Sequence, residues 1–178
     1  FGFGDKSGIE VEESEPRISD ETIVPSMIGQ GTNNYTVSQI AKYVTTIANG
    51  GTCYNLSLLD KVTDSKGNLV EEYGSTVYNK LDVPQEYMSA IQQGMNAYAM
   101  NSSVINNIGI SSAGKTGTAE QSVNHPNHAL FIGYAPYESP EIALAVRIAN
   151  GYTSANSASV GADIYKSVSY THLRAHET

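Results

Sequence analysis

The chain has 178 residues, 40% of them hydrophobic, and a formal net charge of -8. That length supports one domain with its own core, and the acidic balance, with no basic patch, argues against a protein that holds nucleic acid by charge. No apolar run reaches the roughly eighteen residues needed to cross a bilayer, and Cys53, the only cysteine, can form neither an intrachain disulfide nor a cysteine-rich metal site.

Taken in chain order, Phe1-Gly2-Phe3-Gly4-Asp5-Lys6-Ser7-Gly8 already reads as the interior of a domain, so the chain is expected to be a fragment. Residues 1–34 are rich in Gly, Ser, Glu and Pro and read as loop with at most short strands; the acidic run Glu10, Glu12, Glu13, Glu15 is expected to be a solvated face. Thr36 and Gln39 form a capping box that opens a helix with Val37, Ile40, Ala41, Val44, Ile47 and Ala48 on one face, stopped by Gly50 and Gly51.

Asn55 to Tyr73 reads as a surface hairpin around the turn Asp64-Ser65-Lys66-Gly67-Asn68. A second helix is expected to open at Asp82 as cap, with Pro84 in its first turn and Met88, Ile91, Met95 and Tyr98 on the buried stripe. Gly94 inside it costs roughly 1 kcal/mol of helix propensity, which suggests a close approach there.

Ala113-Gly114-Lys115-Thr116-Gly117-Thr118-Ala119-Glu120 carries two motifs at once. Read back from Thr116, Gly109 to Thr116 satisfies G-x-x-x-x-G-K-[ST], a phosphate-cradling P-loop. Read forward from Lys115 it is K-T-G-T, a signature of serine acyl-transferases that react with penicillin. A P-loop needs a buried strand before it and a helix N-terminus after it. Asn106-Asn107-Ile108-Gly109 is too polar for that strand, and Ser122 to His128 is a turn cluster. The forward reading fits better, because Ala129 to Pro136 and Glu141 to Asn150 read as a hairpin that the K-T-G-T strand would neighbour. His125 and His128 lack a third ligand nearby and read as polar loop. Ala155 to Lys166 closes the order as a helix, with Ala158, Ala162 and Tyr165 against the sheet. The element order implies an α+β layer, helices on an antiparallel sheet.

Residues 168–178, Val168 to Thr178, resemble the translation of a sequencing-library adapter. They are set apart as a non-native tail, so the i, i+4 pair His172 and His176 is not read as a metal site.

With Phe3-Gly4-Asp5-Lys6-Ser7-Gly8-Ile9, Ile28-Gly29-Gln30-Gly31, Ile47-Ala48-Asn49-Gly50-Gly51, Ala113 to Glu120 and His128 to Pro136 in this order, residues 1–167 resemble the C-terminal part of the transpeptidase domain of class B penicillin-binding proteins, of the penicillin-binding protein 2 type. The resemblance implies a partial serine β-lactamase/penicillin-binding transpeptidase-like fold. It also implies a full-length enzyme outside the cytoplasmic membrane, anchored by a segment not present here. There a serine attacks a D-alanyl-D-alanine stem peptide, D-alanine leaves, and a neighbouring stem's amine takes the acyl group; β-lactams imitate the donor and stall as acyl-enzyme. Peptidoglycan stem peptides, β-lactams and a membrane glycosyltransferase are the implied partners, with no cofactor, no metal and no nucleic acid.

By the same resemblance Lys115 supplies charge and Thr116 and Thr118 supply hydroxyls for the donor carboxylate. Gly117 leaves room for a peptide along the strand, and the N–H of Thr118 is one oxyanion donor. Lys115 and Thr118 are thus the candidate catalytic residues, and Lys115, Thr116, Gly117 and Thr118 the candidate substrate contacts. The S-x-x-K serine and its lysine are expected upstream of Phe1. Ser122-Val123-Asn124 matches S-x-N in the wrong order and reads as a loop, so this segment alone is not expected to perform the covalent step. A homologue that binds the wall without catalysis would share all of these residues.

Overall fold

The computed structural model describes residues 1–19 and 23–175. Ahead of the first long helix the chain is loop, with the bridge pair Arg17–Asn34 and the short α1 (Ile23–Ser26). The capping box forms: the Gln39 N–H donates to Thr36 Oγ1 at 3.1 Å and the Thr36 N–H to Gln39 Oε1 at 2.9 Å, which opens α2 (Val37–Ala48). Gly50 and Gly51, at φ 64° and 103°, end it in the left-handed region where glycine carries no steric cost.

The buried side of α2 departs from its expected apolar stripe, since Val37 is exposed while Gln39, Lys42 and Thr46 are buried with Val44 and Ile47. Their partners come from the N-terminal segment. Glu13 was expected at a solvated face; instead it is buried, and its carboxylate accepts from Ser7 N–H at 2.6 Å, Thr36 Oγ1 at 2.5 Å and Ser38 Oγ. These three donors, with the positive end of the α2 dipole, make the burial of the carboxylate tolerable. Lys42 reaches Asn55 Oδ1 at 3.0 Å and the Lys6 carbonyl at 3.4 Å.

After α2 the chain runs out as a ribbon. β1 (Thr52–Tyr54) pairs antiparallel with β4 (Val77–Lys80), and β2 (Lys61–Thr63) with β3 (Leu69–Glu72). The expected turn is an Asx turn, with Asp64 Oδ1 accepting from the N–H groups of Lys66 and Asn68 at 2.8 and 2.9 Å. Its strands are exposed, as a surface excursion should be. The β1–β4 pair at the base of the ribbon was not anticipated, because three residues are too few to show a period.

α3 (Gln85–Asn101) starts two residues later than expected: Pro84 itself occupies the N-cap and no side chain caps the helix, so Asp82 is not the cap. Met88, Met95 and Ala99 are buried, whereas Ile91 is exposed. Gly94 has nothing within 4 Å of where a Cβ would stand, so it marks no close approach. A single turn, α4 (Ser103–Asn106), follows, capped by Ser102.

β5 (Ala113–Ala119), β6 (His128–Ala135) and β7 (Ile142–Ile148) form one antiparallel sheet in that order, with Lys115 opposite Ile132 and Thr118 opposite Ala129. α5 (Ser154–Ala175) crosses one face and continues past the expected end at Lys166; His176 lies outside the described residues. Ala158, Ala162 and Tyr165 pack there with Phe131 and Leu144. A Cβ on Gly161 would stand 2.5 Å from the Phe131 ring, so the helix approaches only because that position is bare. On the other face Val44, Ile47, Met88 and Met95 pack on Ala113 and Tyr134. The result is the expected α+β architecture, an antiparallel sheet with helices on both faces.

Candidate active site

β5 is an edge strand, and its two sides can be told apart from three contacts. The Ser112 carbonyl accepts from Asn96 Nδ2 at 2.8 Å, the Thr116 carbonyl from Lys115 Nζ at 2.8 Å, and the Thr118 carbonyl from Gln30 Nε2 at 3.3 Å. These residues alternate, so 112, 114, 116 and 118 turn their backbone groups away from β6, while 113, 115, 117 and 119 pair with it. In an antiparallel strand the N–H of a residue points to the same side as its C=O. The Thr118 N–H therefore projects from the open edge, where an incoming oxyanion or strand would meet it.

The side chains divide the other way. Lys115 and Thr118 are exposed, and Thr116 and Gly117 are half-buried. Lys115 Nζ lies 5.8 Å from the Tyr98 ring, and no carboxylate pairs with it among the described residues. It is a cation available to an anionic ligand. A Cβ on Gly117 would meet only Leu130 Cβ, at 3.6 Å, so the fold does not demand glycine there; open space over the strand does. Thr116 borders a cavity of about 580 Å³ between the end of α3, at Tyr98 and Asn101, and the start of α5, at Ser154 and Ala155.

The P-loop reading fails on this geometry. Gly114 to Thr118 is the middle of a paired strand and no helix begins after it, so there is no ring of amides to cradle phosphate.

Three other patterns resolve as structure. Ser112-Ala113-Gly114-Lys115 spells S-x-x-K literally, overlapping K-T-G-T, so the pattern does occur in this chain and not only upstream of Phe1 as expected. Ser112 is buried and Lys115 exposed on an extended strand, which separates them by about 10 Å rather than one helical turn. They are no nucleophile and base. Ser122-Val123-Asn124 is a turn, as expected, with Ser122 Oγ accepting from the Asn124 N–H at 3.2 Å. A second S-x-N, Ser154-Ala155-Asn156, opens α5, and Asn156 Nδ2 donates to the Gly151 carbonyl at 2.9 Å.

His128 uses both ring nitrogens within the protein. Nδ1 accepts the Asn150 N–H at 3.0 Å, so the other nitrogen carries the proton and donates to Gln121 Oε1 at 2.8 Å. It clamps the β5–β6 loop to the turn before α5. No group of three metal-ligating residues occurs among the described residues.

What sequence reasoning missed at the site is Gln30. Its block, Ile28-Gly29-Gln30-Gly31, helped to carry the resemblance, but nothing in the sequence marked its reach to Thr118.

The family described as "Penicillin binding protein transpeptidase domain" matches residues 1–169. The chain belongs to that family. It is 30% identical to penicillin-binding protein 2A of Bacillus subtilis over 88% of this chain and 25% of that protein. Its fold superposes on penicillin-binding protein 2B of Streptococcus pneumoniae strain R6 with TM-score 0.79 at 28% identity, covering 99% of this chain and 31% of that one. Penicillin-binding protein A of M. tuberculosis, solved as an imipenem acyl-enzyme complex, matches with TM-score 0.81 at 25% identity over 94% of this chain and 40% of that chain. The chain thus spans about a quarter of the length of the curated relatives it matches. Among the described residues no helix is long and apolar enough to cross a membrane.

Proposed function

We propose that this chain is the K-T-G-T half of a D,D-transpeptidase whose full-length form cross-links peptidoglycan stem peptides through an acyl-serine supplied from elsewhere in the protein. One observation carries the reading: the open edge of β5 presents an outward Thr118 N–H beside an unpaired Lys115 cation and an unobstructed Gly117. A stem peptide ending in a D-alanyl carboxylate offers what this edge lacks. Its carboxylate takes Lys115 Nζ and the hydroxyls of Thr116 and Thr118, and its backbone lies along the strand as an added strand would. The scissile carbonyl then develops its negative charge at the Thr118 N–H, where a fixed donor acts most strongly on the transition state.

β-Lactams enter the same edge as donor mimics. The solved acyl-enzyme complex of the mycobacterial relative supports that reading. The full-length protein is placed at the outer face of the cytoplasmic membrane by an anchor outside this chain, where it works beside a membrane glycosyltransferase. Residues 168–178 are read as a non-native tail, on their likeness to a translated sequencing-library adapter.

The test is covalent labelling of the full-length protein by a fluorescent penicillin. Stoichiometric label that is lost in Lys115→Ala, with unchanged thermal unfolding, supports the assignment. A folded full-length protein that takes no label overturns it and leaves a homologue that binds the wall without catalysis.

A further inference from the structure

Gln30 stands between Gly29 at φ 76° and Gly31 at φ 92°. Both conformations cost an L-residue with a side chain about 1 kcal/mol or more. Nothing lies within 4 Å of a Cβ built on Gly29, so that glycine serves the backbone turn and not a tight contact. The main chain of Gln30 is held at both ends, its N–H donating to the Pro25 carbonyl at 2.9 Å and its C=O accepting from Asn33 Nδ2 at 3.1 Å. What remains free is the side chain, and it crosses 88 positions of sequence to the Thr118 carbonyl, 3.3 Å away.

Thr118 is the last outward-facing residue of β5, one position before the strand ends at Ala119. Its peptide has β6 on one side only, and strand ends fray when held from one side. The other end of the same edge is tied in the same manner, Ser112 by Asn96. The edge is therefore pinned at both ends by carboxamides from outside the sheet, with the stretch between them left for a ligand.

We propose that Gln30 is a positioning residue for the oxyanion donor. By holding the Thr118 carbonyl it fixes the backbone of that residue, and with it the direction of the Thr118 N–H. This rests on the transpeptidase reading above. Gln30 touches no substrate; it acts through Thr118. Its effect belongs in the rate of the chemical step and not in ligand affinity, because the donor matters most when charge develops.

The experiment uses the full-length protein and a fluorescent penicillin in stopped flow, which separates the non-covalent Kd from the acylation rate constant, with thermal unfolding measured alongside. Gln30→Ala removes the donor. Gln30→Glu keeps the shape but replaces the donor by an acceptor, and it serves if the alanine variant folds poorly. Both are expected to lower the acylation rate constant about tenfold, the scale of a slightly misplaced group, with Kd within about twofold and the unfolding temperature unchanged. An unchanged or faster acylation step overturns the proposal, the faster one showing that Gln30 blocks the edge. A loss confined to Kd, or one that follows the unfolding temperature, overturns it as well. If the parent protein is not acylated, the transpeptidase reading falls and takes this proposal with it; if the parent is acylated and the variants match it, only this proposal falls.

Discussion

Gly114 lies against the ring of Phe131 so closely that a Cβ there would stand 2.7 Å from two ring carbons and 2.9 Å from the Ile132 carbonyl oxygen. Three positions on, Gly117 has only Leu130 Cβ as neighbour, at 3.6 Å. Two glycines of one strand are thus required for different reasons. Gly114→Ala is expected to destabilise the protein by about 1–3 kcal/mol, the usual cost of overpacking. Gly117→Ala should leave the unfolding midpoint nearly unchanged and slow acylation by a β-lactam. Urea unfolding read beside acylation separates the two; equal stability losses in both would refute the distinction.

Removing the Thr118 N–H tests the edge assignment directly. Proline is tolerated on an edge strand where its missing N–H would have faced outward. Thr118→Pro is therefore expected to fold and to lose acylation by about 10²- to 10³-fold, the scale for one oxyanion donor. An unfolded variant would mean that the N–H belongs to the β6 ladder. Acylation at the parent rate would mean that it is no donor.

Glu13 links stability to acid. Burial pushes its carboxyl up, but donation from Ser38, Thr36 and Ser7 outweighs this and holds it below its ordinary value of 4.5. A carboxylate with a depressed folded-state pKa contributes stability that is fully present above 4.5 and is lost as pH falls through the depressed value. Stability measured from neutral pH downward is expected to decline below that point, and the decline should be shallower in Glu13→Gln. Parallel pH profiles for the two proteins would contradict the role.

Lys42 has Asn55 Oδ1, the Lys6 carbonyl and the face of Tyr78, 4.0 Å from the ring centre, as its partners. Lys42→Ala empties a buried site and frees those acceptors, for a loss of about 3 kcal/mol. Lys42→Met keeps the volume and is expected to lose less than half of that, as replacing a buried charge by an apolar side chain often does. Equal losses would place the stabilisation in the charge alone.

Local chemistry was legible in the sequence wherever partners lie close along the chain. The Thr36–Gln39 box, the stop at Gly50, the Asp64 turn and the β5–β6–β7 order each rest on residues a few positions apart or on short apolar runs bounded by turns. Asp82 was misread because Pro84, with its fixed φ, takes the cap position without a side-chain bond. Glu13 was misread because a run of glutamates looks solvated until its donors are known, and two of these, Thr36 and Ser38, sit 23 and 25 residues away. At the site, the K-T-G-T residues stood out as a contiguous motif whose roles the family resemblance implied. Gln30 and the tie from His128 to Asn150 did not, since both are long-range contacts of ordinary polar residues.

An unpaired strand edge invites other copies of a protein to add themselves to it. Here the protein's own side chains meet that hazard. Carbonyls of Ser112, Thr116 and Thr118 are each already engaged by a side-chain donor, so a stray strand finds few acceptors open and must displace Asn96, Lys115 or Gln30 to pair. The Thr118 N–H, by the phase of the strand, faces the same open side as its carbonyl. The edge is thereby guarded against self-association on its acceptor side, while its donor side stays open.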